Sequence, residues 1–136
     1  MDPLQTIARI AASGMHVQSA RLQIVAENVA NADSTGNTPE ADPYRRKTIS
    51  FEEFIDRETG MTSVRVADVG RDERPFTLRH DPSHPAANED GYVKVSNVSP
   101  ILVMANMREA SRSYEANMNL FEAGRRMRSQ MIDLLK

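Results

Sequence analysis

His80 and His84 lie four residues apart, with Asp81 between them. On a helix, that spacing puts two imidazoles on one face, where they can share a metal ion. Here Pro82 and Pro85 exclude a helix, and no third ligand converges on the pair. The expectation is therefore a proline-pinned turn and no metal site. A second candidate is the acidic run Glu52, Glu53, Asp56 and Glu58. General acid–base catalysis needs carboxylates held in a pocket that shifts their pKa values. A charged segment interrupted by Arg57 is more simply a solvated face. His16 falls inside a helical pattern and is expected in packing or at the surface. The basic triplet Arg45-Arg46-Lys47 follows Tyr44. It is short and surrounded by acids, so it reads as outward charge on an edge strand rather than a nucleic-acid patch. No phosphate-binding glycine loop, nucleophile elbow or cysteine is present. The expectation is a protein that is not an enzyme, with no catalytic residue, no cofactor and no metal.

Composition bounds the class. The 136 residues allow one or two small domains. Hydrophobic residues at 40% and charged residues at 26% suit an ordered chain, while 5% aromatics without tryptophan exclude a large aromatic core. A net charge of −2 and a pI near 5.9 argue against general nucleic-acid binding. The lack of cysteine removes disulfides and thiolate metal sites. No apolar run approaches a membrane span, so membrane insertion is not expected. Met1-Asp2-Pro3 carries no basic leader and no cleavable apolar core, which leaves a cytoplasmic chain or one exported without a cleaved signal.

Two long stripes would position everything else. Ser99-Pro100 opens the second with a capping serine and a proline suited to a first helical turn. Val103, Met107, Ala110, Tyr114, Met118, Phe121, Met131 and Leu135 then follow at helical spacing. Arg125, Arg126 and Arg128 sit late, where positive charge suits the helix dipole. Asp2-Pro3 opens the first stripe in the same way, followed by Leu4, Ile7, Ala11, Met15, Gln18, Leu22, Val25, Val29 and Ala32. Small residues between them permit close helix approach, and Ser13-Gly14 is the weak point, since a mid-helix glycine costs about 1 kcal/mol.

Between the stripes, residues 33–43 read as a mobile loop. Tyr44 to Phe51 reads as a strand and Glu52 to Gly60 as a short helical turn. Val64–Val69, Phe76–His80 and Tyr92–Val95 read as further strands, with Asp90-Gly91 as a hairpin-type turn. The fold class is mainly α with a small β insert. Residues 1–33 and 99–136 form N- and C-terminal axial helices that pair as a coiled coil, and residues 34–98 form a loop and a small β-rich domain.

The second stripe is too long for a compact protein. Thirty-odd helical residues make a rod of about 50 Å, against a radius of gyration of about 14 Å for a compact domain of this size. Either the helix breaks or the molecule is elongated. Five of the eight methionines (Met104, Met107, Met118, Met127 and Met131) lie on it, and methionine suits adaptable interfaces. Ile101-Leu102-Val103-Met104 puts apolar groups all round the helix, so packing against several neighbours is favoured over a simple hairpin.

Ser13-Gly14-Met15 and Ala26-Glu27-Asn28-Val29-Ala30-Asn31-Ala32 resemble the N-terminal motif of bacterial flagellar rod and hook proteins. Four further stretches are similar to the proximal-rod members of that family: 43–47, 80–85, 91–98 and 110–117 (Ala-Ser-Arg-Ser-Tyr-Glu-Ala-Asn). The resemblance implies a non-catalytic structural subunit of the basal-body rod that polymerises through its terminal helices and transmits motor torque. It implies a place in the periplasmic rod of the flagellum, reached through the flagellar type III export apparatus. The implied partners are other rod proteins, copies of the same chain and the basal-body rings. Subunit packing is assigned on this basis to Met15, Leu22, Val25, Asn28, Val29, Asn31, Met104, Met107, Tyr114, Asn117, Met118, Phe121, Met131 and Leu135. The competing reading is a cytoplasmic helical-hairpin oligomer that acts as a protein-binding module.

Overall fold

The computed structural model describes residues 3–136. Two long helices enclose a β-rich insert in the sequence, the architecture expected above. Helix α1 (Pro3–Ala30) begins at a proline, whose fixed φ and missing N–H suit a first helical position. The capping role expected of Asp2 lies outside the described residues. Helix α2 (Pro100–Leu134) starts the same way, and the Val103 N–H donates to the Ser99 carbonyl at 3.0 Å. Gly14 does not break α1, which runs through it.

Four strands lie between the helices: β1 (Lys47–Ile55), β2 (Thr62–Arg71), β3 (Thr77–His80) and β4 (Tyr92–Val95). They form two separate two-stranded sheets, β1 with β2 and β3 with β4. The first strand differs from expectation at both ends. Tyr44 to Arg46 are not in a strand, and side chains take the backbone donors of Tyr44 and Arg46. The Tyr44 N–H donates to Ser34 Oγ, and the Arg46 N–H donates to Asn97 Oδ1 at 2.8 Å. Arg45 and Arg46 are thus not edge-strand residues. Beyond Phe51 the strand continues to Ile55, so the helical turn expected from Glu52 to Gly60 does not form. Instead Asp56 Oδ1 accepts the Glu58 N–H at 2.8 Å, a side-chain turn mimic. Gly60 takes φ +70°, and the Asp56 N–H donates to the Met61 carbonyl, closing the hairpin into β2.

In the second sheet, β3 runs antiparallel to β4 in register from Thr77↔Val95 to His80↔Tyr92. Gly91 turns the chain at φ +84°, a region open to glycine without steric cost. The 33–43 segment lacks regular structure, as expected, but it is tied down. Thr35 bridges to Val95, and the Ser96 N–H donates to the Ser34 carbonyl at 3.0 Å.

The chain divides into two compact units. The first comprises the N-terminal stretch to Leu22, Ile49–Asp68 and Arg108–Lys136. Its interior includes Ala11, Val17 and Ala110. The second comprises Gln23–Thr48 and Val69–Met107. Val25, Val98 and Val103 pack together there with Ala32 and Tyr44 against them. Removing each valine side chain from water contributes about 1.5 kcal/mol or more.

Candidate assembly surface

In the second unit, polar side chains hold the backbone where regular pairing does not. Asn28, on the last turn of α1, is only 3% exposed. Its Nδ2 donates to the Lys47 carbonyl at 3.0 Å, and its Oδ1 accepts the Lys47 N–H at 2.8 Å. The amide thus pairs with Lys47 as a neighbouring strand would. The Tyr44 hydroxyl donates to the same Oδ1 at 2.8 Å. Lys47 also pairs with Glu27 through its ammonium, and that bond holds the Glu27 carboxyl below its ordinary pKa.

Asn97 forms a second amide clasp. Besides accepting from Arg46, its Nδ2 donates to the carbonyls of Asp72 and Arg74, both at 3.0 Å. Asp72 is buried and accepts from Arg74 Nη2 at 2.6 Å and Arg46 Nη1 at 3.2 Å. The Arg74 guanidinium, with the Arg74 backbone N–H and Arg46, holds the Asp72 carboxyl far below the usual carboxylate range. Arg45 lies over the Phe76 ring at 4.3 Å. The basic triplet is therefore a set of internal fastenings.

In the first unit the two helices pack antiparallel through small residues. A Cβ placed on Gly14 would lie 2.8 Å from both amide atoms of Asn117. One placed on Gly124 would lie 3.7 Å from the Leu4 carbonyl oxygen. Arg21 pairs with Glu109 at 3.4 Å. Ala11 and Ala110 are fully buried. The order 4 with 124, 14 with 117 and 21 with 109 is that of antiparallel neighbours. The Asn117 side chain thus occupies the space that a Cβ at Gly14 would need.

The stretches that carried the resemblance meet one another. Ser13-Gly14-Met15 meets 110–117 at Asn117, and Asn28 fastens 43–47. His84, of the 80–85 turn, accepts the Ala86 N–H at Nδ1 (3.0 Å), and its Nε2 sits 3.3 Å from Thr35 Oγ1. His80 instead packs edge-on against Tyr92 with ring centroids 5.0 Å apart. The two imidazoles therefore have separate structural partners. No group of three metal-ligating side chains occurs among the described residues. Glu52 pairs with Arg65 across the hairpin at 2.5 Å, and Glu53 and Glu58 are exposed.

The residues assigned to subunit packing fall into three groups. Val25 and Asn28 are buried in the chain's own second unit. Met15, Leu22, Asn31, Tyr114, Asn117 and Phe121 are half-buried. Val29, Met104, Met107, Met118, Met131 and Leu135 are exposed. Ile101, Leu102, Leu120, Met127, Ile132 and Leu134 are exposed as well, and Ile101 reaches 81%. Large apolar side chains thus stay exposed along much of α2. Asn97 and Asp72 were not singled out from the sequence. Asn97 lay within the 91–98 stretch, but nothing in its spacing signals a clasp to residues more than twenty positions away.

Two family models match the chain. One, described as flagella basal body rod protein, covers residues 9–37. The other, described as flagellar basal body rod FlgEFG protein C-terminal, covers residues 89–134. The flagellar basal-body rod protein FlgC of Agrobacterium fabrum is 50% identical over all of this chain and 98% of its own length. FlgC of Salmonella typhimurium is 38% identical over 96% of this chain and 97% of its own. FlgC of Borreliella burgdorferi is 32% identical over 93% of this chain and 94% of its own.

Proposed function

This chain belongs to the FlgC family of flagellar basal-body rod proteins, and from that premise we propose that it is a non-catalytic structural subunit of the proximal rod. It polymerises with other rod proteins and with copies of itself through its terminal helices, and the polymer carries motor torque. Residues 1–33 and 99–136 serve as the axial helices, winding together as a coiled coil, and residues 34–98 as the domain between them. Export proceeds through the flagellar type III apparatus, and the basal-body rings surround the finished rod.

The observation that supports this reading best is the exposed apolar surface on α2. Met104, Met107 and Met118 lie on one flank of the helix, and Leu102, Leu120 and Met127 on the other. A helix paired with one neighbour needs a single stripe, whereas two open flanks suit lateral neighbours on both sides. Many small apolar contacts distribute shear over several subunits.

Deleting the gene tests the proposal. The expected result is non-motile cells whose basal bodies lack a rod, with recovery when the wild-type chain is supplied. Met118→Glu should be made in normal amounts yet fail to restore motility. Complete rods and normal swimming in the deletion strain overturn the assignment.

A further inference from the structure

We infer that the distal third of α2 is the receptor face for the β1–β2 hairpin of a second copy of this chain. The inference deepens the rod reading and rests on it. Leu4 lies level with Gly124, so α2 runs on for ten residues, 125 to 134, near or beyond the level of Pro3. Met127, Met131 and Leu134 follow at steps of four and three on this segment and share one face, and all three are exposed. Arg126 and Arg128 flank Met127 about 100° to either side around the helix. Neither forms an ion pair among the described residues. The face is therefore an uncovered apolar stripe with a positive rim.

The same chain carries the complementary pattern. On one face of the hairpin Arg65 pairs with Glu52 and lies over the Phe54 ring at 5.0 Å, so the charges there are matched within the chain. Residues two apart on a strand point to the same side, so Glu53 and Ile55 lie together on the opposite face. Ile55 is 67% exposed and Glu53 is exposed beside it. Glu58 follows in the turn, also exposed. An apolar side chain beside a carboxylate fits an apolar stripe flanked by guanidiniums. Both patches stay open in the single chain, so neither satisfies the other there. A contact between two different patches of identical copies is heterologous. It extends into an open helical series unless the rotation happens to close, which is the geometry a rod requires.

The lack of native cysteine makes the contact directly testable. Two single variants, Ile55→Cys and Met131→Cys, are co-expressed in the deletion strain, and basal bodies are isolated under mild oxidation. The expected product is a disulfide-linked pair of chains that forms only when both variants are present. Charge reversal supplies an independent readout: Glu53→Arg and Arg128→Glu should each reduce swimming, and the two together in one chain should restore much of it. The contact is overturned if wild-type and cysteine chains restore motility but no mixed pair forms. It is also overturned if the Met131→Cys chain bridges only to a different protein, or if the reversed charges fail to compensate. In each of those outcomes the rod role stands. If the wild-type chain does not restore rods to the deletion strain, both readings fall.

Discussion

The surroundings of Asn28 and the distal half of α2 solve opposite problems. Around Asn28 the backbone has little regular structure, yet its polar groups find partners within the chain: Asn28 for Lys47 and Tyr44, Asn97 for Arg46, Asp72 and Arg74. The distal half of α2 is the reverse. Its backbone is a plain helix, while Met127, Met131, Ile132 and Leu134 remain in water. One region finds its partners within a single chain, and the other leaves its apolar side chains in water. The proposed rod role accounts for both, since neighbours in a polymer would bury what the single chain leaves open.

Breaking the complete region should have the largest effect. Asn28→Ala removes three hydrogen bonds and strands the part-buried N–H and carbonyl of Lys47 and the Tyr44 hydroxyl. Unpaired buried polar groups cost about 1–3 kcal/mol each, so a loss of about 3 kcal/mol or more is expected in urea unfolding of the isolated chain. Asn28→Asp should do no better, since it replaces the donor to the Lys47 carbonyl with a second acceptor.

Next in size is the close approach between the helices. Gly14→Val should destabilise by about 2 kcal/mol, because the new Cβ lies 2.8 Å from the Asn117 amide and must displace it. Asn117 is itself fixed by donating to the Ser113 carbonyl at 2.8 Å. Shortening Asn117 to alanine should recover part of the loss, and a double-mutant cycle measures the coupling. Purely additive effects would show that the two positions do not meet.

The elements themselves were legible because their signals are local. Prolines at helix starts, three-and-four stripes and the Asp90-Gly91 turn each act within a few residues. The strand bounds were less so. Tyr44 to Phe51 reads as a strand despite imperfect alternation, but Ser34 and Asn97 claim the backbone donors of Tyr44 and Arg46 from ten and fifty-one positions away. The acidic run looked helical because charge is compatible with either structure, and the Asx turn at Asp56 decided the outcome. The candidate surface was readable in part. Periodicity marks Val25 and Met131 alike as stripe positions, yet one is buried and the other exposed. What separates them is what packs against each: Val98, Val103, Ala32 and Tyr44 cover the cluster around Val25, while Met131 stays exposed.

A smaller, pH-dependent effect belongs again to the complete region. The Asp72 carboxyl is ionised far below its ordinary pKa, chiefly through Arg74 and then Arg46. A depressed folded-state pKa stabilises the fold above the unfolded value, near 3.8, and that contribution is lost as pH falls below it. Stability should therefore be flat from neutral pH down to about 5 and then decline. Asp72→Asn should cost about 1.5 kcal/mol at pH 7 and shrink the decline below pH 4. An unchanged acid profile in the variant would remove Asp72 from the account.

The smallest effect on stability should be the sharpest on function, and it comes from adjacent residues of one helix. Val103 is 1% exposed and packs with Val25 and Val98, whereas Met104 is 55% exposed. Val103→Ala opens a cavity and should cost about 2 kcal/mol in the isolated chain. Met104→Glu touches no interior and should stay within about 0.5 kcal/mol of the wild type. In cells the order should invert. The alanine variant keeps its outer surface and should support swimming wherever enough chain folds, while the glutamate variant puts a charge into a surface meant to be buried between subunits and should abolish swimming. Equal motility of the two variants at equal expression would mean that the exposed flank at Met104 meets no neighbour, and would confine the assembly surface to the positions beyond it.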